Sequence, residues 1–310
     1  MGNSPDLGVN LGRIKLRNPV LVASGTFGYG EEYSELIDLN KLGGVITKSI
    51  TLQPEEGNSP PRLAETPAGL LNAIGLANPG LRAFCERSIP FLEQFDTRIV
   101  VSIAGEREDD YLRLSERLNH IKRIDGLEIN ISCPNIKGGL SFSQDPNKIF
   151  SLLKKLKRAS EIPLIVKITP EAVSPVEIAQ ASKEGGAEAI SLINTLIGMA
   201  IDVEEQKPLL ANITGGLSGP AIKPVALRWV WEVSQNVDLP IIGMGGIMNP
   251  EDALEFVLAG AEAIAIGTAN FVDPWTPLKV IEGIRKYLVR KNIKKFKDLV
   301  GKLHNRFSES

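Results

Sequence analysis

The stretch LPIIGMGGIMNPEDALEFVLAGAEAIAIGTA, residues 239 to 269, contains a whole strand–helix–strand unit. Its apolar runs, LPIIGMGGI (239 to 247) and AEAIAIGTA (261 to 269), are almost continuous in aliphatic residues, which suits strands buried on both faces of a parallel sheet. Between them, Asn249-Pro250 places a capping residue before a proline at the first helical position. The same rhythm runs back through the chain. PVLVASGT (19 to 26), GGVITKSI (43 to 50), RIVVSIAG (98 to 105), GLEINIS (126 to 132), PLIVKIT (163 to 169) and AEAISLINT (187 to 195) are six further runs. Helical patterns such as YLRLSERLNHI and KIFSLLKKLKRA separate them, and Asp145-Pro146 and Ser174-Pro175 repeat the cap. Eight alternations in 310 residues predict an α/β fold of the (β/α)8 barrel type rather than an open doubly wound sheet.

No linker or low-complexity tract interrupts this rhythm, so residues 1–310 read as one domain. LGVNLGRIKLRNP at the N-terminus reads as a hairpin that closes the barrel bottom, and RKNIKKFK (290 to 297) as a solvated terminal helix. Three connections exceed simple βα turns: 51 to 78 after strand 2, 133 to 144 after strand 4 and 196 to 217 after strand 6. All lie on the C-terminal side of strands, where barrels build their sites, and read as pocket walls and lids. Net charge is −2 and no basic patch dominates, which argues against a nucleic-acid partner. The start lacks a charged segment followed by an apolar one, and no window of eighteen apolar residues occurs; the expectation is a cytoplasmic protein with no membrane span. Two cysteines, Cys85 and Cys133, with no CxxC spacing, exclude a four-cysteine zinc or iron–sulfur site on this chain.

Barrel geometry gathers the last residue of every strand onto one face. That face receives Ser24, Lys48, Ser102, Asn130, Lys167, Asn194 with Thr195, Gly245 with Gly246, and Gly267 with Thr268. A lysine in an apolar run must meet an anion or lose its charge, so Lys48 and Lys167 read as functional; an interior salt bridge is the alternative. The turns GMGG and AIGTA bare backbone N–H groups after strands 7 and 8, where barrels commonly hold a phosphate. No GxGxxG is present, which argues against a Rossmann-type NAD site. His120 and His304 lie away from the strand ends, leaving a thiol or a lysine as candidate base. Cys85 reads as an inert core thiol. Cys133 heads a Gly/Ser-rich loop near both lysines and reads as reactive, with a buried thiol still open.

GNSPPRLAETPAGLLNAIGLANPG (57 to 80), INISCPN (129 to 135), PLIVKIT, INT (193 to 195), PLLANITGGLSGPAIKPVALR (208 to 228), IIGMGGI and AIGTANF (265 to 271) together resemble the dihydroorotate dehydrogenases. Cysteine in SCPN is similar to the class 1 enzymes. Asn72, Ala73, Ile74, Gly75 and Leu76 resemble the subclass that works with an iron–sulfur flavoprotein partner and NAD+. The resemblance implies FMN as cofactor, (S)-dihydroorotate as substrate, and Cys133 as the base that takes the C5 proton. It also implies that Ser24, Lys48, Ser49, Ser102, Asn130, Lys167, Ile193, Gly219, Gly245, Gly246, Gly267 and Thr268 hold FMN. Lys48, Asn72 to Leu76, Asn130, Asn194 and Thr195 would hold the pyrimidine. The assembly implied is a homodimer flanked by two partner subunits carrying FAD and a [2Fe–2S] cluster, with no metal on this chain. Two departures stand out: Ser102 replaces the family's usual asparagine, and NIKGGLSFSQDP is one residue shorter than the usual loop. Open alternatives are a fumarate-linked enzyme of the same class, another dihydropyrimidine dehydrogenase, or a non-redox phosphate-binding lyase or isomerase.

Overall fold

A computed structural model describes residues 4–131 and 142–303 of the chain. Eight parallel strands close into a barrel: Val20–Val22, Gly44–Ile46, Arg98–Ile103, Gly126–Asn130, Leu164–Ile168, Ala189–Leu192, Ile241–Met244 and Ala263–Ile266. Each pairs with its sequence neighbour, and the eighth closes the ring on the first through Ile264↔Val20 to Ile266↔Val22. These are the eight runs read from the sequence. Their side chains are almost wholly buried because helices cover the outer face and side chains fill the inside.

The helices follow from spacing and caps. Pro146–Ala159 buries Ile149, Leu152, Leu153 and Leu156 at helical spacing, and the Asp145 side chain accepts from Asn147 N–H. Ser174 caps Pro175–Gly185 through Glu177 N–H, and Asn249 caps Pro250–Ala259 through Asp252 N–H at 2.8 Å. Other helices are irregular. The one after strand 1 is a single turn, Glu31–Ser34. The one after strand 2 runs Gly80–Ala83, a π-helical turn Phe84–Ser88 and Ile89–Leu92. Cys85 lies in that π turn, half-buried, and burial followed by the Glu86 charge pushes its thiol up, in keeping with an unreactive group.

At the N-terminal end of the barrel, Val9–Leu11 and Ile14–Leu16 form the expected hairpin. Ile14 reaches the start of strand 4, since a Cβ on Gly126 would meet its Cδ1 at 2.7 Å. Arg13 donates to Glu188 through backbone N–H and guanidinium, and Lys157 Nζ adds a third donor at 3.2 Å. Burial works to raise the Glu188 carboxyl, but these donors outweigh it and hold it below the usual carboxylate range.

Two sequence expectations change. The connections after strands 2 and 6 are not irregular loops: Leu63–Thr66, Gly69–Asn72, Thr214–Ser218 and Leu196–Met199 pair into one four-stranded antiparallel sheet. Its strands are short and glycine-bearing, and the two halves come from distant segments, so no local pattern announces it. RKNIKKFK is not a helix either. The last long helix, Thr276–Arg290, ends on its first residue, and Asp6 N–H donates to Lys294 O while Phe296 N–H donates to Asp6 O. That backbone pairing buries Phe296 fully, which a solvated helix would not allow. Among the described residues no helix is long and apolar enough to cross a membrane.

Glu262, just before strand 8, accepts the Ile241 N–H at 2.7 Å, and burial pushes its carboxyl up to about 6. A carboxyl whose pKa is higher in the folded than in the unfolded state stabilises the fold at low pH, and that contribution is lost as pH rises from about 4.5 through 6. Glu262→Gln retains the acceptor without the charge. The melting temperature of this variant relative to the parent should therefore improve between pH 4.5 and 7, by an amount worth roughly 2 kcal/mol at neutral pH. Parallel melting curves across that range would refute the assignment.

Candidate active site

Lys167 stands on strand 5 with Asn130 and Ser191 as its neighbours in register on strands 4 and 6. It is 6% exposed, and its ammonium donates to Ser24 Oγ at 3.1 Å, across the barrel at the end of strand 1. That reach places the Lys167 side chain inside the barrel at its C-terminal mouth, and places its register partners on the same face. Lys48 lies just past strand 2, half-buried, with its N–H donating to Gly28 O. Burial depresses the Lys48 ammonium below the usual lysine range; the Glu32 charge opposes this and Arg62 adds to it. Among the described residues neither lysine is in an ion pair, so the interior salt bridge is not what holds them.

Beside them the Ser49 hydroxyl lies 2.8 Å from the Ser102 hydroxyl, and Asn130 Nδ2 donates to Ser49 Oγ at 3.3 Å. Ser102 is fully buried beneath this pair, and its N–H donates to Thr47 Oγ1. On the opposite wall the turns after strands 7 and 8 approach each other. Gly245, Gly246 and Gly219 have φ of 120°, 80° and 93°, and a Cβ on Gly246 would lie 2.9 Å from Gly219 O. A Cβ on Gly267 would meet only Ala23 Cβ at 3.9 Å, and Thr268 Oγ1 donates to Ser218 Oγ at 2.8 Å. The N–H groups of Gly245, Gly246, Gly267 and Thr268 have no acceptor within the chain among the described residues. Lys223, next to Gly246, is held by Asp252 at 2.6 Å and by Glu255, which leaves the amides as the anion donors of this turn.

The antiparallel sheet contributes the third wall. Asn72 Nδ2 donates to Gly216 O at 3.1 Å, and a Cβ on Gly216 would strike Thr195 Oγ1 at 2.3 Å. Asn72 and Thr195 are thus brought together from the connections after strands 2 and 6. Asn194 Oδ1 accepts the Thr195 N–H, while the Ile193 and Asn194 N–H groups donate to Met244 O and Ile168 O. Ala73 to Leu76 are pinned from outside: Ala73 N–H donates to Arg62 O, Asn58 to Ala73 O and Ile74 accepts Asn58 N–H, and Asn78 Nδ2 donates to Leu76 O. Leu76 itself adopts φ 57°, the left-handed region that side chains rarely enter. Cys133 lies outside the described residues, as do Ser132 and the loop to 141.

A family profile described as dihydroorotate dehydrogenase matches residues 6–288. The chain belongs to the dihydroorotate dehydrogenase family. It is 52% identical over 300 residues to the dihydroorotate dehydrogenase B (NAD(+)) catalytic subunit of Geotalea daltonii, covering 96% of this chain and 98% of that protein. The proteins of the same name from Thermoanaerobacter pseudethanolicus and Bacteroides thetaiotaomicron are 50% and 49% identical, each over 96% of this chain and 99% of their own length.

Some residues that shape this candidate site carry no strand-end signal. Gly216 matters for having no side chain between Thr195 and Asn72; its only sequence mark is the pair Gly215-Gly216. Tyr111 fixes the end of strand 4 by donating to Asn130 O at 2.8 Å, and its ring meets Phe142 edge-on. Arg62 sets part of the field at Lys48 from a chain segment read only as loop. Gly216→Ala should force Thr195 and the Asn72 strand apart, lowering stability by about 1–3 kcal/mol as overpacking does. Denaturant midpoints for this variant and its parent measure that cost, and an unchanged midpoint would show that the wall yields.

Proposed function

We propose that this chain is the catalytic subunit of an NAD+-linked dihydroorotate dehydrogenase, oxidising (S)-dihydroorotate to orotate in pyrimidine biosynthesis. One observation carries the reading: a buried lysine in no ion pair and four backbone amides without an acceptor, both among the described residues, converge with an asparagine-lined wall on one barrel mouth. Family membership supplies the chemistry that such a mouth serves, and the names of the relatives supply the acceptor. The absence of side chains at Gly245, Gly246 and Gly267, together with N–H groups that have no acceptor among the described residues, fits a flavin whose phosphate is held by backbone donors. We assign FMN to Ser24, Lys48, Ser49, Asn130, Lys167, Ile193, Gly219, Gly245, Gly246, Gly267 and Thr268. Ser102 supports that set from beneath through Ser49.

When bound, the flavin supplies the hydride acceptor for C6 of the substrate. The chain's own residues do the rest. Asn72, Asn130 and Asn194 carry amides that donate and accept, matching the paired donors and acceptors of a pyrimidine ring. Lys48, Ala73 to Leu76 and Thr195 complete the substrate wall, and the backbone pins on 73 to 76 preorganise it. The Lys167 ammonium, buried at the mouth, would supply a positive charge to stabilise negative charge on the reduced cofactor. Cys133 takes the C5 proton; no described histidine stands at the mouth to do so. The direct test is an anaerobic titration: purified protein should be yellow, and dihydroorotate should bleach it. A colourless protein that binds phosphate esters would favour the lyase or isomerase reading instead.

Cys133→Ala should retain FMN but slow bleaching roughly 10²-fold or more, the usual scale for a lost general base. Serine should restore only part of the rate, mainly at higher pH. Bleaching at the parental rate would remove Cys133 from the chemistry. Lys167→Ala should shift the flavin midpoint potential to more negative values and weaken FMN retention, because the reduced ring loses its cation. A redox titration reads the shift, and an unmoved potential in a loaded variant would contradict the role.

The electron path leaves this chain. It has no dinucleotide fingerprint and two cysteines, so NAD+ and a four-cysteine cluster must sit elsewhere. The relatives are named catalytic subunits, which supports an assembly with an electron-transfer partner. We place FAD and [2Fe–2S] on that partner, two of which flank a homodimer of this chain, in the cytoplasm. The isolated chain should then reduce dyes but not NAD+, with NAD+ turnover appearing on addition of the partner. Robust fumarate-linked turnover by the chain alone would overturn this arrangement in favour of the fumarate-using subclass.

A further inference from the structure

The eight barrel strands contain three charged residues, Arg98, Glu128 and Lys167. Arg98 opens strand 3 at the barrel bottom and is paired with Asp125 at 3.0 Å. The other two are interior and of opposite sign. Glu128 shares a face with Asn130, two residues on, and Asn130 is the register partner of Lys167. Glu128 is fully buried. Its Oε2 accepts from Ser191 Oγ at 2.9 Å, and Ser191 is in turn the register partner of Lys167 on the other side. Its other oxygen, Oε1, is buried with no hydrogen-bond partner among the described residues.

A carboxyl sealed from water with one oxygen unclaimed is costly unless a nearby charge compensates it. A buried ammonium bonded to a single hydroxyl has the converse need. Around Lys167 the packed elements offer few charges. Strands 1, 6, 7 and 8 carry none, Lys48 past strand 2 is itself cationic and faces Glu32 and Arg62, and strand 4 carries Glu128. At the barrel bottom Asp125 is taken by Arg98, Glu188 by Arg13 and Lys157, and Glu262 by a backbone amide.

We infer that Glu128 is a positioning residue: through Ser191 and the barrel interior its carboxylate is the counter-charge of Lys167, and it sets how much positive potential Lys167 presents at the mouth. The inference rests on the functional reading above for its redox consequence and on geometry alone for the pairing. Removing the negative charge should let Lys167 favour reduced flavin more strongly. In Glu128→Gln, the affinity ratio of reduced over oxidised FMN should rise on the order of tenfold, about 30 mV towards less negative potential for a two-electron couple. Ser191→Ala leaves Glu128 in place but removes the hydroxyl that holds its carboxylate, which should loosen the coupling to Lys167 and shift the potential the same way by less.

Lys167→Ala supplies the control that a packing defect would not mimic. If Glu128 acts through the Lys167 ammonium, Glu128→Gln should move the potential far less in that background than in the parent. An unmoved potential in flavin-loaded Glu128→Gln, or equal shifts in both backgrounds, would overturn the pairing. Should Glu128→Gln not fold, Ser191→Ala with and without Lys167→Ala reads the same coupling. Denaturant midpoints of the flavin-free proteins decide the pairing independently of FMN. The double variant Glu128→Gln with Lys167→Ala should be less destabilised than the sum of the single variants, and strict additivity would refute the coupling. A parent chain that bound no FMN would fail the functional reading while leaving this cycle to decide the pairing.

Discussion

Closure of the parallel sheet is the constraint on which the rest depends. With strand 8 paired to strand 1 and every other strand to its sequence neighbour, the ladder leaves no edge, and backbone donors and acceptors within it are spent on one another. Chemistry then has two places to go: the rims, where strands end and amides are released, and the inside, where side chains alternate inward. Both are used at the C-terminal rim. Gly245, Gly246, Gly267 and Thr268 release N–H groups there, and Lys167 and Asn130 point inward from strands 5 and 4 just below. The mouth is therefore donor-rich before any ligand arrives, and the dry interior strengthens each of those donors.

The N-terminal rim solves the opposite problem. Asn18, Asp125 and Glu262 each precede a strand and accept a backbone N–H, from Val20, Ile99 and Ile241 respectively. Glu188, before strand 6, accepts from the hairpin at Arg13 N–H. Asp125, Glu188 and Glu262 tie their strands to a neighbour or to the plug, so polar groups at this rim are used in holding register. A single fold thus separates a satisfied end, which fixes geometry, from an unsatisfied end, which binds.

The strands were legible because a two-face-buried strand must be apolar throughout, and the helix starts because capping residues before Pro146, Pro175 and Pro250 have one physical use. The lysines were legible by contrast with those runs. The same contrast applies to Glu128 in GLEINIS, yet its meaning needs Ser191, which only tertiary register brings near. The antiparallel sheet was not legible as a whole: strand 69–72 pairs locally with 63–66, but its other neighbour is 214–218, with Asn72 and Gly216 144 residues apart. RKNIKKFK was misread for a related reason: helical spacing of its charges is a local signal, and the backbone pairing of Asp6 with Lys294 and Phe296 that overrides it is not.

The antiparallel sheet also explains why two remote connections act as one wall. Strands 69–72 and 214–218 pair edge to edge, so Asn72 and Thr195 are positioned by the same ladder that holds Gly216 between them. The Leu76 backbone, held at positive φ by Asn78, ends that wall with no freedom to swing. A wall of loops would have to be ordered by the ligand, at a cost in binding entropy; a hydrogen-bonded sheet has met that cost during folding. Specificity for a flat, polar ring with paired donors and acceptors demands such rigidity, because a mismatch in one hydrogen bond discriminates only when the partner group cannot relax to find another.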